Sequence, residues 1–106
     1  MKRGTVVWVD LSDANPPEMG KMRPAVIVSG DVHNGLLDTI VVVPTSSLAP
    51  EILPLRVSVG VFSGKESFAV VPGLRLLSKR RLRGTLGHLS AARLASLDAS
   101  LRAYLG

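Results

Sequence analysis

With 106 residues, 46% hydrophobic and only 20% charged, the chain carries enough apolar material for one core, which argues against a disordered or tail-like segment. The absence of cysteine excludes disulfides and thiolate metal sites, and no apolar run reaches the roughly 18–20 residues that cross a bilayer. Thirteen Lys and Arg against eight Asp and Glu leave a net charge of +5, which favours a polyanionic partner, nucleic acid first.

The opening Met1-Lys2-Arg3-Gly4 and the short apolar run broken at Asp10 lack the length and cleavage pattern of a signal peptide, so the chain reads as cytoplasmic, with no membrane association. Thr5 to Leu11 is rich in β-branched and apolar side chains and predicts a first strand, with Trp8 in its middle as a core residue. Ser12 to Met22 then carries Asn15, Pro16, Pro17 and Gly20, turn chemistry over a long connection. The stretch Glu18-Met19-Gly20-Lys21-Met22-Arg23-Pro24 delivers a fixed positive charge to the mouth of a strand, Ala25 to Ser29. Pro24 cannot donate to a ladder and biases Arg23 toward extended backbone, which predicts the arginine at the strand's first position.

Gly30 to Asp38 contains Asn34-Gly35 and reads as a turn, followed by a strand over Thr39 to Val43 that runs through Pro44 into three hydroxyls, Thr45, Ser46 and Ser47. Further strands are predicted over Leu55 to Val59, Ser67 to Val71 and Leu74 to Leu77, the last two interrupted by Pro72-Gly73. Leu94, Leu97, Leu101 and Leu105 recur at helical spacing behind an N-cap at Ser90. The chain is therefore expected to be mainly β with a C-terminal α-helix: a single domain over residues 1–106, built as a small, strongly bent antiparallel barrel. Val6 to Leu11 and Ile40 to Val43 are apolar on both faces, which predicts that a second subunit covers part of them.

Each candidate site residue has two readings. Arg23 presents a planar fork that matches two phosphate oxygens, or is a surface arginine paired with Glu18 or Asp10. Thr45, Ser46 and Ser47 can bond phosphate or sugar, or simply their own backbone at a turn. Glu18 can take a proton if burial raises its pKa, or orient Arg23 and order its loop, which is the favoured reading. Gly20 permits close backbone approach and Lys21 adds a salt-sensitive phosphate contact. Lys79-Arg80-Arg81 with Arg83 can attract RNA or an acidic segment, or be a solvated face. His33 and His88 are too few and too far apart in sequence to announce a metal site, and four aromatics make base stacking an unexpected main mode of RNA binding.

The order of these features resembles the MazF/PemK family of bacterial toxins. Lys2-Arg3-Gly4 with Val6-Val7-Trp8-Val9-Asp10-Leu11 is similar to the family's opening strand, Glu18 through Pro24 to its signature loop, and Pro44-Thr45-Ser46 to its third landmark. Leu86-Gly87-His88-Leu89-Ser90 resembles the lead into its last helix. The resemblance implies a homodimer of CcdB/PemK-like, SH3-like barrels acting as a metal-independent endoribonuclease on single-stranded RNA, with no cofactor. It also implies inhibition by a cognate MazE-like antitoxin whose acidic, apolar tail fills the dimer groove. Arg23 and Thr45 would be the catalytic pair, with Glu18, Gly20, Lys21, Ser46, Ser47 and Arg75 in RNA-binding or supporting roles. One stretch departs: the family often has an acid and a glutamine before the arginine at Arg75, where this chain has Pro72-Gly73-Leu74. The alternatives are a non-catalytic gyrase poison of the same architecture and a basic RNA-binding barrel without chemistry.

Overall fold

The run of β-branched residues after Gly4 forms β1 (Thr5–Asp10), which has antiparallel partners on both sides. One side of β1 pairs with β2 (Met22–Ile27), in register from Val6 opposite Val26 to Asp10 opposite Met22. The other side pairs with β7 (Leu82–His88), and two register shifts bend that ladder. Beyond β2 comes β3 (Thr39–Ser46), then β5 (Lys65–Val70) and β4 (Arg56–Phe62), while β6 (Arg75–Ser78) pairs with the first half of β3. The computed structural model describes residues 1–13, 15, 20–48 and 50–106.

The curl of this sheet originates in β3, which changes partner along its length. Thr39 to Val42 face β6, Val42 to Pro44 face β2, and Thr45 and Ser46 face Ala69 and Phe68 of β5. Pro44 sits at the handover, where a residue without an N–H interrupts least. The strand therefore continues two residues past the proline, and Thr45 and Ser46 belong to it instead of to the turn expected at its end.

Two apolar clusters occupy opposite sides of the sheet. Val6, Val26, Val43, Val57, Val59, Ala69 and Val71 pack with Leu89, Leu97 and Leu101 beneath the C-terminal helix α2 (Ala91–Leu105). Val7, Val9, Leu11, Ala25, Ile27, Ile40, Val42 and Leu77 form the second, with Leu82 against it. Both faces of β1 and β3 are thus covered within the chain, which replaces the expectation that their alternate face awaits a second subunit. The helix begins as predicted, with Ser90 Oγ accepting the Arg93 N–H at 3.2 Å. Arg3 then ties β1 to α2: its guanidinium donates to both carboxylate oxygens of Asp98, and its Nε donates to Val28 O at 2.9 Å.

One other expectation is corrected, and one strand appears that was not predicted. Gly30 to Asp38 holds a short helix, α1 (Asp31–Leu36), where a turn centred on Asn34-Gly35 was predicted. Asn34 is buried and its Nδ2 donates to Ser29 O, while Ser29 Oγ donates to its Oδ1, so tertiary hydrogen bonds override the turn preference. The basic stretch that starts at Lys79 leads into β7, a mostly exposed strand with glycines at positions 84 and 87 whose pattern resembles neither a half-buried nor a buried strand. The other strands appear as predicted, shifted by one to three residues at their ends.

Candidate functional site

Arg23 enters the sheet one residue inside β2, opposite Val9, with extended backbone enforced by Pro24. Its side chain turns onto two carbonyls: Nε donates to Gly20 O at 2.9 Å and Nη1 to Thr45 O at 3.1 Å. Asp10, one of the acids considered as its partner, is engaged elsewhere. Its carboxylate accepts from Ser12 N at 2.9 Å and lies 3.6 Å from Arg83, and the Ser12 bonds first and the arginines second hold it below the usual carboxylate range. Glu18, the other acid considered, lies outside the described residues.

Among the described residues no carboxylate neutralises Arg23, and burial alone lowers its guanidinium from the ordinary arginine value. Arginine starts so far above neutrality that the group stays cationic. A partly desolvated cation with no counterion among the described residues favours an arriving anion. Among the described residues, two of its five N–H donors are used, by Gly20 and Thr45, and the other three have no partner.

Thr45 completes a reciprocal clasp. Its carbonyl accepts from Arg23 while its Oγ1 donates to Pro24 O at 2.8 Å, and the residue is only 2% exposed. The hydroxyl predicted to reach a phosphate is therefore committed to holding β3 against β2, directly beside the guanidinium. Gly20 also acts through its backbone, as the acceptor for Arg23. Lys21 adopts a left-handed backbone, φ 68°, and its carbonyl accepts from Leu11 N at 2.8 Å, closing the base of the β1–β2 loop.

These residues border a cleft of about 420 Å³ lined by Lys21, Met22, Arg23 and Pro24 from one side and Thr45, Ser46, Ser47 and Leu48 from another. The predicted set Lys21, Arg23, Thr45, Ser46 and Ser47 thus converges. Arg75 does not join it: its guanidinium is 3.6 Å from Asp13, which also pairs with Arg81 at 3.1 Å. Trp8, predicted for the core, is half-buried and lines the cleft instead, because its register partner Pro24 stands at the cleft margin.

A third wall comes from residues that the sequence reading passed over: Phe62, Ser63, Lys65 and Ser67. They are carried by the β4–β5 hairpin, whose two central residues, Ser63 and Gly64, both have positive φ (55° and 76°). That is the turn a right-twisted two-residue hairpin requires, and the Ser-Gly dipeptide was its available signal. The described lining holds three cations and several hydroxyls but no acidic or imidazole side chain. These described groups suit a negatively charged, hydrogen-bonding ligand.

Comparison with known proteins decides the family. A model of the PemK-like, MazF-like toxins of type II toxin–antitoxin systems matches residues 2–105. The chain belongs to this family. It is 33% identical over 113 residues to endoribonuclease MazF9 of Mycobacterium tuberculosis, covering 99% of this chain and 96% of that one. To endoribonuclease MazF of Staphylococcus epidermidis it is 30% identical over 110 residues, covering 100% and 92%. The crystal structure of MazF from Deinococcus radiodurans superposes with a TM-score of 0.87 at 26% identity, over 100% of this chain and 96% of that one. The curled antiparallel sheet with its C-terminal helix is the MazF-like fold.

Proposed function

We propose that this MazF-like chain is an endoribonuclease toxin that cuts single-stranded RNA at a phosphate held by Arg23, through attack of the ribose 2′-hydroxyl and without a metal ion. Family membership supports the enzyme class. The observation that carries the mechanism is the position of Arg23: a partly desolvated guanidinium, fixed by two carbonyls, with three donors unengaged among the described residues, in a cleft it shares with Lys21 and Lys65.

In the reaction the 2′-oxygen bonds to phosphorus as the bond from phosphorus to the 5′-oxygen breaks. One proton leaves the 2′-hydroxyl, one reaches the departing 5′-oxygen, and the products are a 2′,3′-cyclic phosphate and a 5′-hydroxyl. Negative charge grows on the non-bridging oxygens, and Arg23 meets it with donors already in place. A single preorganised donor of this kind is worth about 2.7–4 kcal/mol in a water-poor site. Thr45 is a positioning residue that keeps the guanidinium aimed. Lys21 and Lys65 contact neighbouring phosphates, Ser46 and Ser47 hydrogen-bond the backbone of the RNA, and Glu18 orders the loop that presents Gly20. Arg75 acts in support, by fixing Asp13 at the start of that loop.

The same reading makes residues 1–106 one toxin domain that acts in the cytoplasm as a homodimer, held in check by a cognate MazE-like antitoxin. Val32, Leu36 and Leu37, on and just after α1, are exposed apolar residues available to a second copy.

The test is product chemistry in the presence of EDTA. Cleavage should persist, the 3′ ends should carry a cyclic phosphate by mass spectrometry, and a single 2′-deoxy substitution at the scissile position should abolish it. Ends bearing a 3′-hydroxyl, or loss of cleavage on chelation, would refute the mechanism. RNA that is bound but stays intact would leave the basic, non-catalytic barrel.

A further inference from the structure

The chain has four aromatic residues, and two of them, Trp8 and Phe62, line the cleft that holds Arg23. Neither is enclosed in a core, although Phe62 packs against the edge of one. Both are only partly buried, at a surface shared with three cations, several hydroxyls and the apolar Met22, Pro24 and Leu48.

Phe62 is seated with unusual care. It lies at the end of β4, directly opposite Lys65 across the Ser63-Gly64 turn. One edge of its ring packs over Gly87 of β7, where a Cβ would stand 3.4 Å from Cε1, and another approaches Gly60, where a Cβ would stand 3.7 Å from Cε2. The ring also packs against the main apolar cluster. The ring is thus flanked by two glycines and by the apolar cluster, and still contributes to the cleft wall. A platform held this way loses little freedom when a flat ligand stacks on it.

The charge around it selects the ligand. Lys65 is the hairpin partner of Phe62, and Lys21 and Arg23 line the same cleft. A nucleic acid offers both halves of this pattern, a π-face for the ring and a phosphate for each cation. We infer that Phe62, with Trp8, forms a stacking subsite for a nucleobase next to the phosphate that Arg23 holds, and that the β4–β5 hairpin sets which base is accepted there. This deepens the proposed ribonuclease reading and rests on it for the position of the phosphate.

The sole tryptophan is a built-in reporter. Its fluorescence should be followed as the intact chain is titrated with a short oligoadenylate and, separately, with an abasic ribose-phosphate oligomer of the same length and charge. Oligoadenylate should quench Trp8 and bind about tenfold more tightly per stacked base than the abasic chain. Phe62→Leu, which keeps an apolar side chain on the glycine seat, should erase that preference while leaving affinity for the abasic oligomer as it was. Equal affinity and equal quenching for the two oligomers would overturn the subsite, and so would an unaltered preference in Phe62→Leu. The wild-type titration needs no variant, so a folding defect in Phe62→Leu does not shield the proposal. It is also read without cleavage: a chain that stacks bases yet never cuts a randomised RNA pool would sink the ribonuclease reading and spare the platform, and the converse result would do the opposite.

Discussion

At the scale of single residues the central object is the clasp between Arg23 and Thr45. The two residues bond each other's strands: the guanidinium donates to the Thr45 carbonyl, and the Thr45 hydroxyl donates to the Pro24 carbonyl next to Arg23. Replacing Thr45 by Val keeps the β-branched shape, the backbone carbonyl and the ladder pairing of the two strands but removes the hydroxyl's hydrogen bond to the Pro24 oxygen. Thr45→Val should therefore lose about 0.5–1.5 kcal/mol of stability by urea denaturation. It should also lower kcat with little change in KM, because Arg23 is loosened without being removed. Thr45→Ser should restore most of both, and a Val variant with wild-type kcat would show that the hydroxyl does not position the arginine. The sequence announced these two residues and their chemistry. It did not reveal that the threonine's proton is already spent, since a hydroxyl's partner depends on which carbonyl the fold brings opposite it.

At the scale of elements, the strands rich in β-branched residues and the capped helix were legible, because alternation, turn residues and an N-cap are local signals. What escaped was decided by partners distant in sequence. The segment Leu82–His88 is a strand through its ladder with β1, not through its composition. Asn34 sits in a helix because Ser29 buries and bonds its amide. The β4–β5 hairpin was missed at its tip, so Phe62 and Lys65 went unassigned although Ser63-Gly64 marked the turn. The packing of α2 on this sheet depends on another distant pair, Arg3 with Asp98, joined through two hydrogen bonds at a partly shielded site. Asp98→Asn keeps the shape and removes the charge. It should lower the urea midpoint by an amount equivalent to about 1–2 kcal/mol with an unchanged m-value. An unshifted midpoint would make the pair incidental.

For the whole molecule, a net charge of +5 pointed to a polyanion, and the fold shows where part of that charge is concentrated. Lys21, Arg23 and Lys65 share the cleft, whereas Arg75, Arg81 and Arg83 are engaged by Asp13 and Asp10. If the three cleft cations carry RNA binding, log affinity against log salt should fall with a slope of roughly −2 per chain, at about −0.7 for each phosphate neutralised on a single strand. Lys65→Ala should reduce the slope by about 0.7. A slope near −4 that Lys65→Ala leaves untouched would move the binding face to the arginines after Lys79. The most direct test of the account is single-turnover cleavage of RNA in EDTA by the wild-type chain, Arg23→Lys and Arg23→Ala, each shown by its urea transition to be folded. A planar, pre-aimed guanidinium at the scissile phosphate predicts a rate loss of about 10²–10³ in Arg23→Ala, with only partial recovery in Arg23→Lys. An Arg23→Ala variant that cuts as fast as wild type would contradict it.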